Sequence, residues 1–231
     1  MNMKTRYMLT AAAAVLLLTG CELDKQPISE IGEGSFYKTS EHINNAVIAC
    51  YNGLQEPLRY EWMVTELRSD NTRLQNTQTT STQNTMLMDF DQSRISATSE
   101  YVYNFWKATY HNIARCNTVV AHISVADEDV RGQDEGEARM IRAYHYFNLV
   151  RLFGPVFTVT ERISAEQAKQ LDRRPIDEVY ALIEDDLTFA IGHLPDAYKA
   201  EERGRLTQWA AKALMAKVRM TRGQIDTTTR D

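Results

Sequence analysis

Four polar side chains spaced three apart, Arg142, His145, Asn148 and Arg151, mark one face of an otherwise apolar stretch, and two carboxylates, Asp185 and Asp186, stand side by side further on. Such groups can move protons or hold anions. Their spacing argues against both uses here. Acidic residues elsewhere can neutralise the basic stripe in a buried network, so the stripe reads as structural. Neighbouring positions on a helix point about 100° apart, which denies Asp185 and Asp186 paired acid and base work. The five histidines include no His-Glu-x-x-His, and neither Gly-x-Ser-x-Gly nor Cys-x-x-Cys occurs. Gly32 and Gly34 lack the third glycine and the preceding strand of a dinucleotide loop. No catalytic residue, metal or cofactor is expected.

A second set of residues suits recognition. From Thr72 to Thr85 nearly every residue is Thr, Ser, Gln or Asn, with Leu74 alone apolar, so the stretch reads as a long surface loop. Its side chains can hydrogen-bond sugar hydroxyls, or can simply be solvated. Sugars are held by aromatic faces against their C–H surfaces and by planar polar groups against their hydroxyls. Tyr60, Trp62, Asn71, Arg73 and Gln75 flank or lie in this stretch and are the candidate ligand-binding residues. The competing reading places Tyr60 and Trp62 in the core and uses Asp70 to satisfy backbone donors. Trp106 and Trp209 fall within apolar stripes and are expected to be core. Cys50 and Cys116 sit in apolar helical patterns, where a disulfide or two buried free thiols would fit; the thiol reading is preferred, because spacing alone does not bring the pair within bridging distance.

The elements that must position these groups read as helices. Thr39 or Ser40 can cap a first helix, with Ile43, Val47, Cys50 and Leu54 at helical spacing and an end near Gly53 and Pro57. A second runs from about Ser99 to Ile123. A third, about Glu135 to Phe153, is apolar nearly all round and must sit centrally before Gly154-Pro155 ends it. Residues 157–160 alternate too briefly to be more than a short extended segment. A fourth helix starts near Pro175 and closes at Leu194-Pro195. A fifth, Thr207 to about Arg222, is expected to bury Trp209, Ala210, Ala213, Leu214 and Met220 and to stop at Gly223, leaving a polar tail from Gln224. Ala210, Ala211, Ala213 and Ala216 would let neighbours approach closely, as in tetratricopeptide-type hairpins, although no strict repeat of about 34 residues is visible.

The amino terminus supplies an address. Lys4 and Arg6 precede an uncharged apolar run from Met8 to Leu18, the pattern of a cleaved secretory signal and too short for a span of about 20 residues. Leu18-Thr19-Gly20-Cys21 resembles the lipobox of bacterial lipoproteins, in which Cys21 would become the lipid-bearing residue. Residues 1–20 are thus expected to be a signal peptide, and 21–35, with Pro27, Gly32 and Gly34, an extended tether. The chain carries 26 basic and 31 acidic residues, a net charge of −5 that becomes −7 once Lys4 and Arg6 leave with the signal. An acidic chain is a poor nucleic-acid binder. Roughly 210 remaining residues can bury a sizeable core.

Several blocks, in order, resemble the SusD/RagB family of outer-membrane nutrient-binding lipoproteins. Ser35-Phe36-Tyr37-Lys38-Thr39 with Ala46 and Tyr51 is similar to the family's opening helix, and Glu66-Leu67-Arg68-Ser69-Asp70-Asn71 to the motif that follows. Trp106, Tyr110, Ile113 and Asn117 match its next helix. The most specific block is Glu137-Ala138-Arg139 through Arg142-Ala143-Tyr144, Tyr146-Phe147, Leu149-Val150 and Phe153-Gly154. Asp177-Glu178-Val179-Tyr180, Asp186-Leu187, Ala190, Leu194-Pro195, Gly204-Arg205-Leu206-Thr207 and Ala210–Leu214 continue it. The resemblance implies an all-α fold of tetratricopeptide-like helix hairpins with long irregular loops over residues 36–231. It further implies a non-enzymatic, lipid-anchored binder of oligosaccharide or other nutrient at the outer membrane, facing the exterior and partnered with a TonB-dependent, SusC-like transporter. Only the amino-terminal part of the family pattern is covered, so a truncated SusD-like fold is expected. A truncated structural or interaction lipoprotein without ligand is the alternative.

Overall fold

The computed structural model describes residues 36–74 and 82–228, except the side chains of 82–84 and 225–228. The expected signal peptide, Cys21 and the tether lie outside the described residues. The helices below belong to the unit formed by residues 38–231.

Helix α1, Ser40–Asn52, starts where expected: Thr39 is extended and its hydroxyl accepts from the His42 N–H at 3.3 Å. It buries Ile43, Ala46, Val47 and Cys50, one stripe at helical spacing. The chain turns at Gly53, whose hydrogen atom faces the Asn112 amide; a Cβ built there would lie 1.8 Å from Asn112 Oδ1. The helix ends at Gly53 as expected, but Pro57 does not keep the chain from starting another helix. A new helix, α2, Gln55–Thr65, begins just before it. Proline in a first turn sacrifices only an N–H that has no intrahelical partner. A 3-10 turn, Glu66–Arg68, follows and buries Leu67.

Helix α3, Thr82–Asp91, corrects the expectation of a loop through Thr85. It buries Leu87 and Phe90 and ends with Ser93 in the left-handed region, φ 54°. There the Arg94 N–H reaches the Asp89 carbonyl at 2.8 Å and the Ser93 N–H the Phe90 carbonyl at 3.1 Å, a Schellman closure without its usual glycine.

Helix α4, Glu100–His122, turns Phe105, Thr109, Asn112, Ile113 and Cys116 inward. Helix α5, Glu128–Phe153, starts about two turns earlier than expected because Glu128 and Asp129 suit a first turn. Its burial nearly all round is as read from the sequence, and Gly154, at φ 68°, reverses the chain after it. Helix α6, Ile176–His193, lies along α5, and helix α7, Gln208–Thr228, lies along α6. Helix α7 passes straight through Gly223, so no tail begins at Gln224. Its buried face is Ala211, Met215 and Val218; Trp209 and Met220, expected inside, are 58% and 73% exposed. Among the described residues the strand content is one antiparallel bridge, Val156 with Arg174. The molecule is all-α, built of helix hairpins.

Two buried ionic clusters fasten the irregular segments to this frame. Arg142 on α5 donates to both oxygens of Asp186 on α6 and, through Nη1, to Asn117 Oδ1 at 2.8 Å and the Thr160 carbonyl at 3.2 Å. Asn117 in turn donates to the Val159 carbonyl, and the Tyr146 hydroxyl both donates to that carbonyl and accepts from the Val159 N–H. The extended segment after α5 is thereby held. In the second cluster Glu137, fully buried, accepts from Arg205 Nε at 3.0 Å and Tyr198 at 2.8 Å, while Arg205 also reaches Asn44 on α1. The α6–α7 connection is pinned back to α1 and α5. Of the stripe expected to be structural, Arg142, His145 and Asn148 are buried. Arg151 closes onto Asn148 and the ring of Phe147.

Candidate functional site

Tyr60 and Trp62 lie on α2, a helix rather than the flank of a loop, and two positions on a helix are about 200° apart. They therefore face in different directions. Tyr60 is half-buried, its ring 6.4 Å from Tyr101 of α4, which is 6.3 Å from Phe90 of α3, and its hydroxyl donates to Glu56 at 3.3 Å. It ties three helices together. Trp62 is 45% exposed and shares its face with Leu58, 51% exposed, one turn earlier. Trp62 is thus the aromatic surface that α2 offers to solvent.

Asn71 and Arg73 follow the 3-10 turn and are both exposed. Gln75 lies outside the described residues. The segment between α3 and α4 lines two small open pockets. One, of about 210 Å³, lies between Arg68, Phe90, Ile95, Val102 and Phe153. The other, of about 150 Å³, carries the hydroxyl-bearing residues Ser96, Thr98 and Ser99. Ser96 and Thr98 hydroxyls bond each other at 2.8 Å. Sequence reasoning did not single out Arg68, Ile95, Ser96 or Thr98; the run Ser96-Ala97-Thr98-Ser99 just ahead of Tyr101 was the available signal. Tyr103, 60% exposed on α4, was missed as well. The exposed indole of Trp62 on the outer face of α2, and the carboxamide of Asn71 and guanidinium of Arg73 after the 3-10 turn, are each of the chemistry that contacts a polyhydroxylated ligand.

The other candidates resolve differently. Asp186 is fully buried on Arg142 while Asp185 beside it is exposed, so the two carboxylates do not share a site. Burial works against the charge on Arg142, but its bonds to Asp186 outweigh that and hold the guanidinium above its ordinary range. His145, buried against Asn112, is pushed down to about 3 by that burial and so stays neutral. Trp106, expected in the core, is half-buried and lines an apolar cavity of about 350 Å³ with Tyr110, Phe157, Ile163 and Leu171. Arg173 stands 5.8 Å from its ring centre. Trp209 is a surface residue beneath Lys212, whose ammonium lies 4.1 Å from the ring centre. Cys50 and Cys116 are both buried free thiols. Among the described residues no group of three or more His, Cys, Asp or Glu could hold a metal ion, and no helix is long and apolar enough to cross a membrane.

Known proteins share this architecture. A SusD-like protein from Bacteroides fragilis superposes with a TM-score of 0.71 at 26% identity, over 84% of this chain and 37% of that one. The surface glycan-binding protein A from Bacteroides uniformis gives 0.68 at 26% identity, over 80% and 43%. In sequence, a SusD-like protein of Formosa agariphila is 25% identical over 94% of this chain and 43% of its own length. The chain spans about two-fifths of the length of these relatives. The family model described as starch-binding associating with outer membrane, SusD-like, matches residues 23–220. The buried Glu137–Arg205 and Arg142–Asp186 pairs join the blocks on which the resemblance rested, and this chain belongs to the SusD-like family.

Proposed function

We propose that the chain is part of a cell-surface lipoprotein that binds glycan, anchored in the outer membrane through Cys21, and that it works with a TonB-dependent, SusC-like transporter in oligosaccharide uptake. The family match over residues 23–220 carries the reading, and a relative named as a surface glycan-binding protein, at 26% identity, supports it. The ligand contacts draw on Trp62, Asn71, Arg73 and Gln75, with Tyr60 holding α2 in place. Trp62 supplies an apolar face for a sugar ring, and the polar groups satisfy hydroxyls that would otherwise lose water without replacement. The protein binds and does not cleave, so incubation with polysaccharide releases no reducing sugar.

Calorimetric titration of the full-length gene product with polysaccharides on which the host grows tests this reading. Heat that saturates with at least one of them is expected; none with any of them contradicts it. A second reading, a structural or interaction module without ligand, draws on the divergence of Tyr60 and Trp62 on α2. It is favoured if the product captures the transporter while giving no heat with glycan.

A further inference from the structure

Cys50 on α1 and Cys116 on α4 are far apart in sequence and both are 0% exposed. The two helices pack together, and each cysteine lies on the buried face of its helix. Asn112, one turn before Cys116 on α4, donates through Nδ2 to the Cys50 carbonyl at 3.0 Å, which sets Cys50 against the stretch of α4 that carries Cys116. Ile43, Val47, Ile113 and Val119 are buried on the same two helices, and the buried Arg142–Asp186 pair acts on Cys116 from α5 and α6.

We propose that Cys50 and Cys116 are a modification site: in the oxidising surroundings outside the cytoplasm they join as a disulfide that ties α1 to α4. The inference rests on the reading that the chain is exported, in addition to the contact itself. The oxidant is a disulfide, a protein disulfide oxidase in the cell or oxidised glutathione in the test tube. The thiolate of one cysteine attacks the oxidant's disulfide, forming a mixed disulfide and releasing one thiol. The second cysteine, losing its proton, attacks the mixed disulfide at the protein sulfur and expels the other thiol. Two protein thiols become one disulfide while one oxidant disulfide becomes two thiols, which balances electrons and protons.

The step belongs to folding. Burial raises the Cys116 thiol well above its ordinary value, and the neighbouring Cys50 adds to this, so the closed structure holds little Cys116 thiolate and shuts both sulfurs away from an oxidant. Oxidation therefore precedes the final closure of α1 on α4. Once formed, the bond restricts the unfolded chain by closing a long loop, which stabilises the fold.

The full chain, unfolded and refolded in a mixture of reduced and oxidised glutathione, is alkylated without reduction, digested and weighed. A peptide pair joined through Cys50 and Cys116 is expected, and its melting temperature falls by several degrees when a reductant is added. A Cys50→Ala/Cys116→Ala double variant, which keeps the site apolar, melts at the same temperature with and without reductant. Recovery of both cysteines alkylated after refolding overturns the inference. A chain that cross-links on refolding but is recovered from cells with both thiols free overturns instead the exported location on which the native bond depends.

Discussion

The Arg142 guanidinium and the Asp186 carboxylate meet in two parallel hydrogen bonds, Nε to Oδ2 at 2.8 Å and Nη2 to Oδ1 at 2.7 Å, with the two residues 3% and 0% exposed. The pair joins α5 to α6, and its spare nitrogen holds the extended segment that follows α5. Removing one partner strands a buried charge, which costs about 3–5 kcal/mol. Arg142→Met and Asp186→Leu are each expected to lose stability on that scale in urea unfolding. The double variant should cost less than the sum, because no unpaired charge remains.

Gly53→Ala tests the approach of the α1–α2 turn to α4. The added Cβ would meet Asn112 Oδ1 at 1.8 Å, and Asn112 is held by its bonds to the Cys50 carbonyl and His145. Overpacking of this kind costs about 1–3 kcal/mol, measurable as a lower urea midpoint with an unchanged slope.

Ser93→Gly should move stability the other way. Ser93 holds a positive φ of 54° to close α3, a conformation that glycine adopts without a Cβ penalty. A gain of about 0.5–1 kcal/mol in urea unfolding is expected.

Two buried groups set opposite slopes in the pH dependence. Asp134, buried near Glu137 and only partly offset by Arg205, is raised to about 6. Its folded value lies above its unfolded one, so the stability it contributes is complete below about 4 and is lost as pH rises through about 6. His145, lowered to about 3, contributes stability that is present above about 6.5 and is lost as pH falls toward 3. Asp134→Asn should therefore raise the melting temperature at pH 7 and remove the first slope. Melting followed from pH 3 to pH 8 for both chains checks this.

Much of the helical frame was legible because burial and periodicity coincide: Thr39 caps α1, and Ile43, Val47 and Cys50 form its inner stripe. Other parts were hidden for identifiable reasons. Pro57 reads as a stop, yet it sits in a first turn where its missing N–H does no harm. Helix α3 was obscured by the polar composition around Thr82, although Leu87 and Phe90 bury well. On α7 two registers one residue apart were equally apolar, and the large Trp209 and Met220 drew the reading to the wrong one. Of the candidate site residues Trp62, Asn71 and Arg73 lie exposed, but without α2 the composition could not reveal that Tyr60 and Trp62 point apart. The most recognisable block, around Glu137 and Arg142, proves to be scaffold: its charges are spent on Arg205, Tyr198, Asp186 and Asn117.

Trp62 gives the most direct test of the surface assigned to ligand. Being 45% exposed, it can be replaced by alanine with little effect on folding, within about 0.5 kcal/mol. Calorimetric titration of the full-length gene product, as wild type and as Trp62→Ala/Arg73→Ala, with a polysaccharide on which the host grows is the decisive measurement. Saturable heat from the wild type, lost or weakened at least tenfold in the variant at an unchanged melting temperature, is the predicted result. Equal binding by both proteins would contradict the placement of the site, and no heat from the wild type with any such polysaccharide would contradict glycan binding itself.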